Sequence, residues 1–335
     1  MKKAGIKEIA HVLEVSPTTV SRALSGNGRV SADTKRRVLE YIANNDVEPN
    51  IRQRRGPERK PGNIVVTVPQ EDDYALLPFF SETLSSVYDY FSVYDYRIIY
   101  AKTKEDDISA LEKIVGQHKA DGVILTRIFS NAQDIKYLQE KKVPFVAIGS
   151  YDDKSVYQVD VDQQAGCRDL TSVLLRMGIR DIALFCADMT HMVTKGRMKG
   201  FLQAYEDNGL DFNPAMVFDN VENPFVVERI TEDMLKQGVE CILCMDDNIC
   251  ISVLNILRRN EVRVPQDIKV ASFYNSQVLN EYYPPISCVD FNIKELGAMA
   301  SKTLLDMLQG KETARKLTLG YNVILKESTK QINGG

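Results

Sequence analysis

From residue 63 onward, short apolar runs alternate with longer amphipathic stretches, and this alternation constrains the fold more than any other feature of the chain. Runs at 63–68, 97–101, 122–126, 145–149, 182–186, 241–245 and 269–273 have strand length. Between them, helical patterns lie at 79–93, 111–118, 135–140, 163–177, 196–208, 226–237, 248–259 and 296–308. Strands that read as almost unbroken apolar runs are buried on both faces, as in parallel sheets covered by helices. So many βα units predict two doubly wound parallel sheets, hence an α/β body of two lobes. Ligands of such sheets bind beyond the carboxyl ends of the strands, which places the expected site in the cleft between the lobes.

With 335 residues, the chain has room for two or three folding units. Its 44% apolar and 26% charged residues fit a globular protein, not a disordered or fibrous one. The longest clean apolar runs, such as Ile64-Val65-Val66, fall far short of the roughly 20 residues a spanning helix needs. Charge also interrupts the first residues, so neither a membrane partner nor a leader is expected, and the cytoplasm is the expected location. The net charge of -4 is uneven: residues 1–60 hold 13 Lys/Arg against 7 Asp/Glu, whereas the remainder holds 29 against 39. A basic head on an acidic body suggests that the head meets a polyanion.

Six scattered cysteines read as buried free thiols. Cys241 and Cys244 have ligand-like spacing, but they sit in an apolar strand pattern where their sulfurs point to opposite faces, and no histidine or second pair completes a metal site. No metal and no cofactor is expected.

In the head, Ile6, Ile9, Ala10 and Leu13 recur at helical spacing. Ser16-Pro17 then starts a second helix, with serine able to cap free amides and proline suited to the first helical position. Val20, Ala23 and Leu24 form its buried face, leaving Thr18, Thr19, Ser21 and Arg22 on or beside the exposed one. A third helix opens at Ser31 and packs through Val38, Leu39 and Ile42. Two short helices joined by a tight turn and braced by a third make an all-α helix-turn-helix. Such a second helix enters the major groove, where Arg22 could donate two hydrogen bonds to a guanine.

The segments Ile6-Lys-Glu-Ile-Ala10, Val15-Ser-Pro-Thr-Thr-Val-Ser-Arg22, Ala23-Leu24, Val30-Ser31, Thr34 and Glu48-Pro49-Asn50 resemble the head of the LacI/GalR transcription repressors. The resemblance implies base-reading roles for Pro17, Thr18 and Arg22, and phosphate contacts for Thr19, Ser21 and Asn27. The body is similar to that family's effector domain, which is periplasmic-binding-protein-like, through Pro78-Phe79-Phe80, Asp121-Gly-Val-Ile124, Asp160, Arg197-Met-Lys-Gly-Phe201 and Val264-Pro-Gln-Asp-Ile268, among others. In the family, the arginine of the R-x-x-G-F segment clamps the effector, a role that would fall to Arg197. Two departures alter the pocket: Met245-Asp246-Asp247 stands in place of Ala-Asn-Asp, and Ser272-Phe273-Tyr274-Asn275 in place of Gly-Tyr-Asp-Asp. Phe80 and Tyr274 could offer flat faces to a ring, and Arg127 and Asp246 could add charge. The expected effector is small and polar, a sugar or glycoside.

By resemblance, the protein is expected to be a ligand-controlled, sequence-specific DNA-binding homodimer on a near-palindromic, double-stranded operator. The expected divisions are a DNA-binding head at 1–50, a hinge at 51–61 and an effector-binding and dimerisation body at 62–335. The short polar tail Glu327 to Gly335 offers no heptads for a tetramer. In the hinge, Gly56 stands where relatives carry a DNA-wedging leucine. Pro57 confines any hinge helix to about one turn, leaving Arg52, Arg54 and Arg55 to meet phosphates or a narrow minor groove. A basic linker that contacts nothing is the other reading. Two further alternatives are a sugar-binding module with an inactive head and a doubly wound enzyme. The enzyme finds little support: no G-x-G-x-x-G, P-loop or G-x-S-x-G motif occurs, and no catalytic residue is assigned. Of the three histidines, His11 lies in the head, His118 near a helix end and His191 in a loop before Arg197.

Overall fold

The computed structural model describes residues 2–16, 19–20, 23, 30–44, 47–50, 62–70, 77–221 and 223–331, which divide into two units, Met1–Lys60 and Pro61–Gly335. In the first unit, helices Ile6–Val12 and Ala32–Asn44 share a small core in which Ile9, Ala10, Val20, Ala23 and Val38 are buried. Leu13, Val15, Val30 and Tyr41 pack around it. Ser16 caps the turn that follows the first helix: its Oγ accepts from Thr19 N at 3.0 Å and lies 2.8 Å from Thr19 Oγ1. Ser31 repeats the device with Thr34 at 3.2 Å. The head also carries a feature that helical periodicity did not signal, a parallel ladder between β1 (Lys2–Gly5) and β2 (Val47–Asn50). Four-residue segments are too short to display a period.

The second unit contains two six-stranded sheets. The N-terminal lobe holds β3 (Asn63–Pro69), β4 (Arg97–Thr103), β5 (Gly122–Leu125), β6 (Phe145–Ile148), β7 (Gln158–Val161) and β13 (Lys316–Leu319), in the order β4-β3-β5-β6-β7-β13, all parallel. The C-terminal lobe holds β8 (Ile182–Phe185), β9 (Val217–Phe218), β10 (Cys241–Cys244), β11 (Lys269–Ser272), β12 (Ser287–Phe291) and β14 (Tyr321–Ile324), in the order β9-β8-β10-β11-β12-β14, with β14 antiparallel to its neighbour. Burial on both faces accounts for the unbroken apolar runs. Ile64 and Val66 face one core while Val65 between them faces another, and Ile124 is likewise opposed to Val123 and Leu125.

The chain passes between lobes three times. After β7 it enters helix Gln163–Arg176, which packs on helix Met192–Asp207 and on β12 and β14 of the C-terminal lobe. After β12 it returns through helix Ile293–Leu308, which packs on helix Pro78–Ser92 and on β5, β6 and β7. Each of these two crossing helices is capped by the residue before it, Asp162 accepting from Ala165 N at 3.0 Å and Asn292 from Glu295 N at 3.1 Å. The third passage is Gly320, between β13 and β14. All six cysteines are buried and free, and among the described residues no His/Cys/Asp/Glu group could hold a metal. No described helix is long and apolar enough to cross a membrane.

Candidate ligand-binding cleft

The strands of both lobes end at a shared cleft of about 560 Å³. Phe80, Arg127, Arg197, Asp246 and Tyr274, separated by up to 194 positions in the chain, all line it. From the N-terminal lobe, Phe80 enters on the first turn of helix Pro78–Ser92, whose opening proline costs no hydrogen bond. Arg127 follows the end of β5, where Thr126 binds the backbone of β3 through Thr67 O at 2.6 Å. Its guanidinium carbon stands 5.3 Å from the Phe80 ring centre and 6.0 Å from that of Phe129, within cation–π range of both.

From the C-terminal lobe, Arg197 projects from helix Met192–Asp207 and is only 7% exposed. Nε donates to Gln163 Oε1 at 2.9 Å and Nη1 to the Met245 carbonyl at 2.5 Å, and its guanidinium lies 5.7 Å from the Tyr274 ring centre. One turn further along, Gly200 lets this helix lie directly against Gln163–Arg176: a Cβ there would stand 2.2 Å from Gln164 O. Thus the R-x-x-G-F pattern supplies both the clamp-like arginine and the close approach that seats it. Tyr274 is held by Ser272, whose Oγ donates to Tyr274 O at 2.7 Å. Burial and the nearby acids push the Tyr274 phenol well above its usual range, so it is a hydrogen-bond donor throughout the neutral pH region.

Asp246 caps helix Asp247–Arg259, its Oδ1 accepting from Ile249 N at 2.9 Å. The carboxylate that replaces an amide in this segment therefore serves the backbone as well as lining the cleft. Burial raises its pKa, and the charge of Asp247 beside it does the same while Arg197 opposes. Asp247, Asp160 and Gln163 also line the cleft, although composition and spacing gave none of them a binding role. At the 245–247 segment only Asp246 was singled out; the fold adds Asp247, which by position alone is an ordinary first-turn acid. His191 lines the cleft too, as the residue that opens helix Met192–Asp207, whereas His118 is exposed elsewhere.

Of the residues expected to meet DNA, Thr19 is described and sits half-buried beside the Ser16 cap. Pro17, Thr18, Ser21, Arg22, Asn27, Arg54 and Arg55 lie outside the described residues.

Residues 5–50 match the model of bacterial regulatory proteins of the lacI family, and residues 171–329 that of the periplasmic binding protein-like domain. The HTH-type transcriptional regulator RegA of Clostridium saccharobutylicum is 27% identical over 97% of this chain and 98% of its own. The ribose operon repressor of Halalkalibacterium halodurans is 24% identical over 97% of each. Among solved structures, a complex of the transcriptional regulator CelR with cellobiose superposes with a TM-score of 0.72 at 23% identity, covering 97% of this chain and 100% of the other, and so shares the fold. A lacI-type head joined to a two-lobed periplasmic-binding-like body, and matched from end to end by transcription regulators, assigns the chain to its family: it is a transcription regulator of the LacI family.

Proposed function

We propose that this chain is an operator-binding repressor, not an enzyme, whose DNA affinity is set by a small polar effector, a sugar or glycoside, held in the cleft. The observation that carries the reading is the two-sided wall. Phe80 and Arg127 come from one lobe, while Arg197, Asp246 and Tyr274 come from the other. A ligand touching both binds one lobe arrangement better than another, and such differential affinity is what a two-state regulator needs. The ribose operon repressor and the cellobiose complex among its relatives favour a sugar.

In this reading, residues 1–50 bind DNA, 51–61 form a basic hinge and 62–335 bind effector and pair two copies in the cytoplasm. Arg22, Pro17 and Thr18 read bases, while Thr19, Ser21, Asn27, Arg54 and Arg55 meet phosphates. Exposed Tyr88, Val93 and Tyr100, on the end of helix Pro78–Ser92 and on edge strand β4, offer an apolar face for the second copy. Two heads related by two-fold symmetry then require a near-palindromic site.

Genomic footprinting of the purified protein, with and without a panel of sugars, tests the reading by supplying operator and effector together. Arg22→Ala should remove the preference for the operator over random DNA, at roughly 1–3 kcal/mol if the contact is bidentate. An equal loss on both DNAs would reject the assigned recognition helix.

A further inference from the structure

Arg197 is the sole buried base in the cleft among the described residues, and its charge is shared by three carboxylates without an ion pair to any of them. Two of its donors serve the neutral oxygens of Gln163 and Met245. Around it stand Asp160, Asp246 and Asp247, each pushed up by burial, with Arg197 acting in the opposite direction on all three. Asp160 and Asp246 have backbone partners, Val161 N at 2.8 Å and Ile249 N at 2.9 Å. Asp247 is 5% exposed and lines the cleft; its Oδ2 has no hydrogen-bond partner of good geometry, and the buried, neutral Ser276 hydroxyl beside it can donate without offsetting its charge.

A buried carboxylate oxygen without a donor is costly, and two adjacent carboxylates sharing one guanidinium leave negative charge uncompensated. The remaining bases of the cleft stand in wetter places: Lys199 and Lys316 are exposed, Lys195 is half-buried, and Arg127 rests on the rings of the opposite wall. An uncharged hydroxyl could donate to Asp247 but would leave the charge unchanged. A ligand carboxylate or phosphate placed there would add to it. An ammonium group supplies the missing charge and brings its own donors with it.

We propose that the effector carries a protonated amine, as an amino sugar or another amine-bearing polyol does, and that the amine seats against Asp246 and Asp247 on the C-terminal wall. This rests on the effector reading above and narrows it to one ligand class.

The test uses the full-length protein and one sugar frame in three charge states: D-glucose, D-glucosamine and D-glucuronate, with the galactose series in parallel. Calorimetry measures binding and a gel-shift assay measures the change in operator affinity. The hexosamine should bind about ten-fold more tightly than the matching hexose, as one charge-assisted contact provides, and the hexuronate should not bind. Asp246→Asn, in which asparagine caps the helix as well as aspartate, should keep the melting temperature and remove most of that preference. Asp247→Asn should do the same. A hexose or hexuronate that binds as tightly as the hexosamine and shifts operator affinity would overturn the amine assignment while the effector reading stands. If no sugar of any charge alters binding to an operator the protein still recognises, both fall. A preference unchanged in both variants would also defeat the proposal.

Discussion

The two walls of the cleft are built from the same material, the carboxyl ends of parallel strands, yet their arginines differ in burial and in what lies against them. On the N-terminal wall Arg127 is half-buried and lies over two aromatic rings. On the C-terminal wall Arg197 is buried and held by directed hydrogen bonds to a carbonyl and an amide. A ring face tolerates sliding of the cation above it, whereas a hydrogen bond weakens steeply once its angle falls below about 120°. Arg197 is therefore fixed in place before a ligand arrives.

The strongest way to break this contrast is to part the helices that seat Arg197. Gly200→Ala places a Cβ 2.2 Å from Gln164 O, a backbone atom that cannot step aside alone. It should destabilise the body by about 3 kcal/mol or more, read by denaturant melts, and weaken effector binding in parallel. A loss below about 1 kcal/mol would mean that Arg197 is not fixed by this contact.

The N-terminal lobe has its own buried charge. Asp134, 1% exposed with Oδ2 unpartnered, has its pKa pushed up by burial to about 6. The folded state thus holds this proton more tightly than the unfolded state. Its contribution to stability is greatest below about pH 4, falls as pH rises toward about 6, and stays low above that. Asp134→Asn should remove this slope and stabilise the protein at pH 7 by roughly 2–3 kcal/mol. Chemical denaturation at pH 4.5 and 7 checks the sign, and a variant less stable than the parent at pH 7 would contradict it.

Smaller effects separate the two arginines. Arg197→Ala should weaken the effector by roughly ten- to hundred-fold, because it removes charged donors and leaves the Met245 carbonyl and Gln163 unpaired. Arg127→Ala should cost less, about 1 kcal/mol or a few-fold in affinity, because its guanidinium is half solvated and leaves no buried carbonyl unpaired. Equal losses in the two variants would erase the distinction between the walls.

All seven strands expected from apolar runs form, because burial on both faces of a parallel sheet writes itself into consecutive residues. The strands that escaped notice are those with mixed surroundings. In the body, β7 carries Gln158 and Asp160, β9 has two residues, β12 carries Ser287 and Asp290, and the edge strands β13 and β14 hold only exposed and half-buried positions. The capping Ser16 of the head was legible in its Ser-Pro segment, whereas Arg197, Asp246 and Tyr274 were suggested through the family resemblance of their segments and not through spacing.

What no local pattern contains is which partner a segment meets. β13 and β14 are separated by Gly320 alone, yet they complete different sheets in different lobes. Asp246 reads as a pocket acid, but the helix that begins beside it makes it a cap as well. Arg197 reads as a clamp, but its hydrogen bonds reach 34 positions back to Gln163 and 48 positions forward to Met245. Helix and strand periods arise from neighbours two to four residues apart, so the chain states its own elements, faces and turns. Register between distant strands, and the partners of a buried charge, arise from contacts whose entropy of closure is repaid only when the whole body assembles.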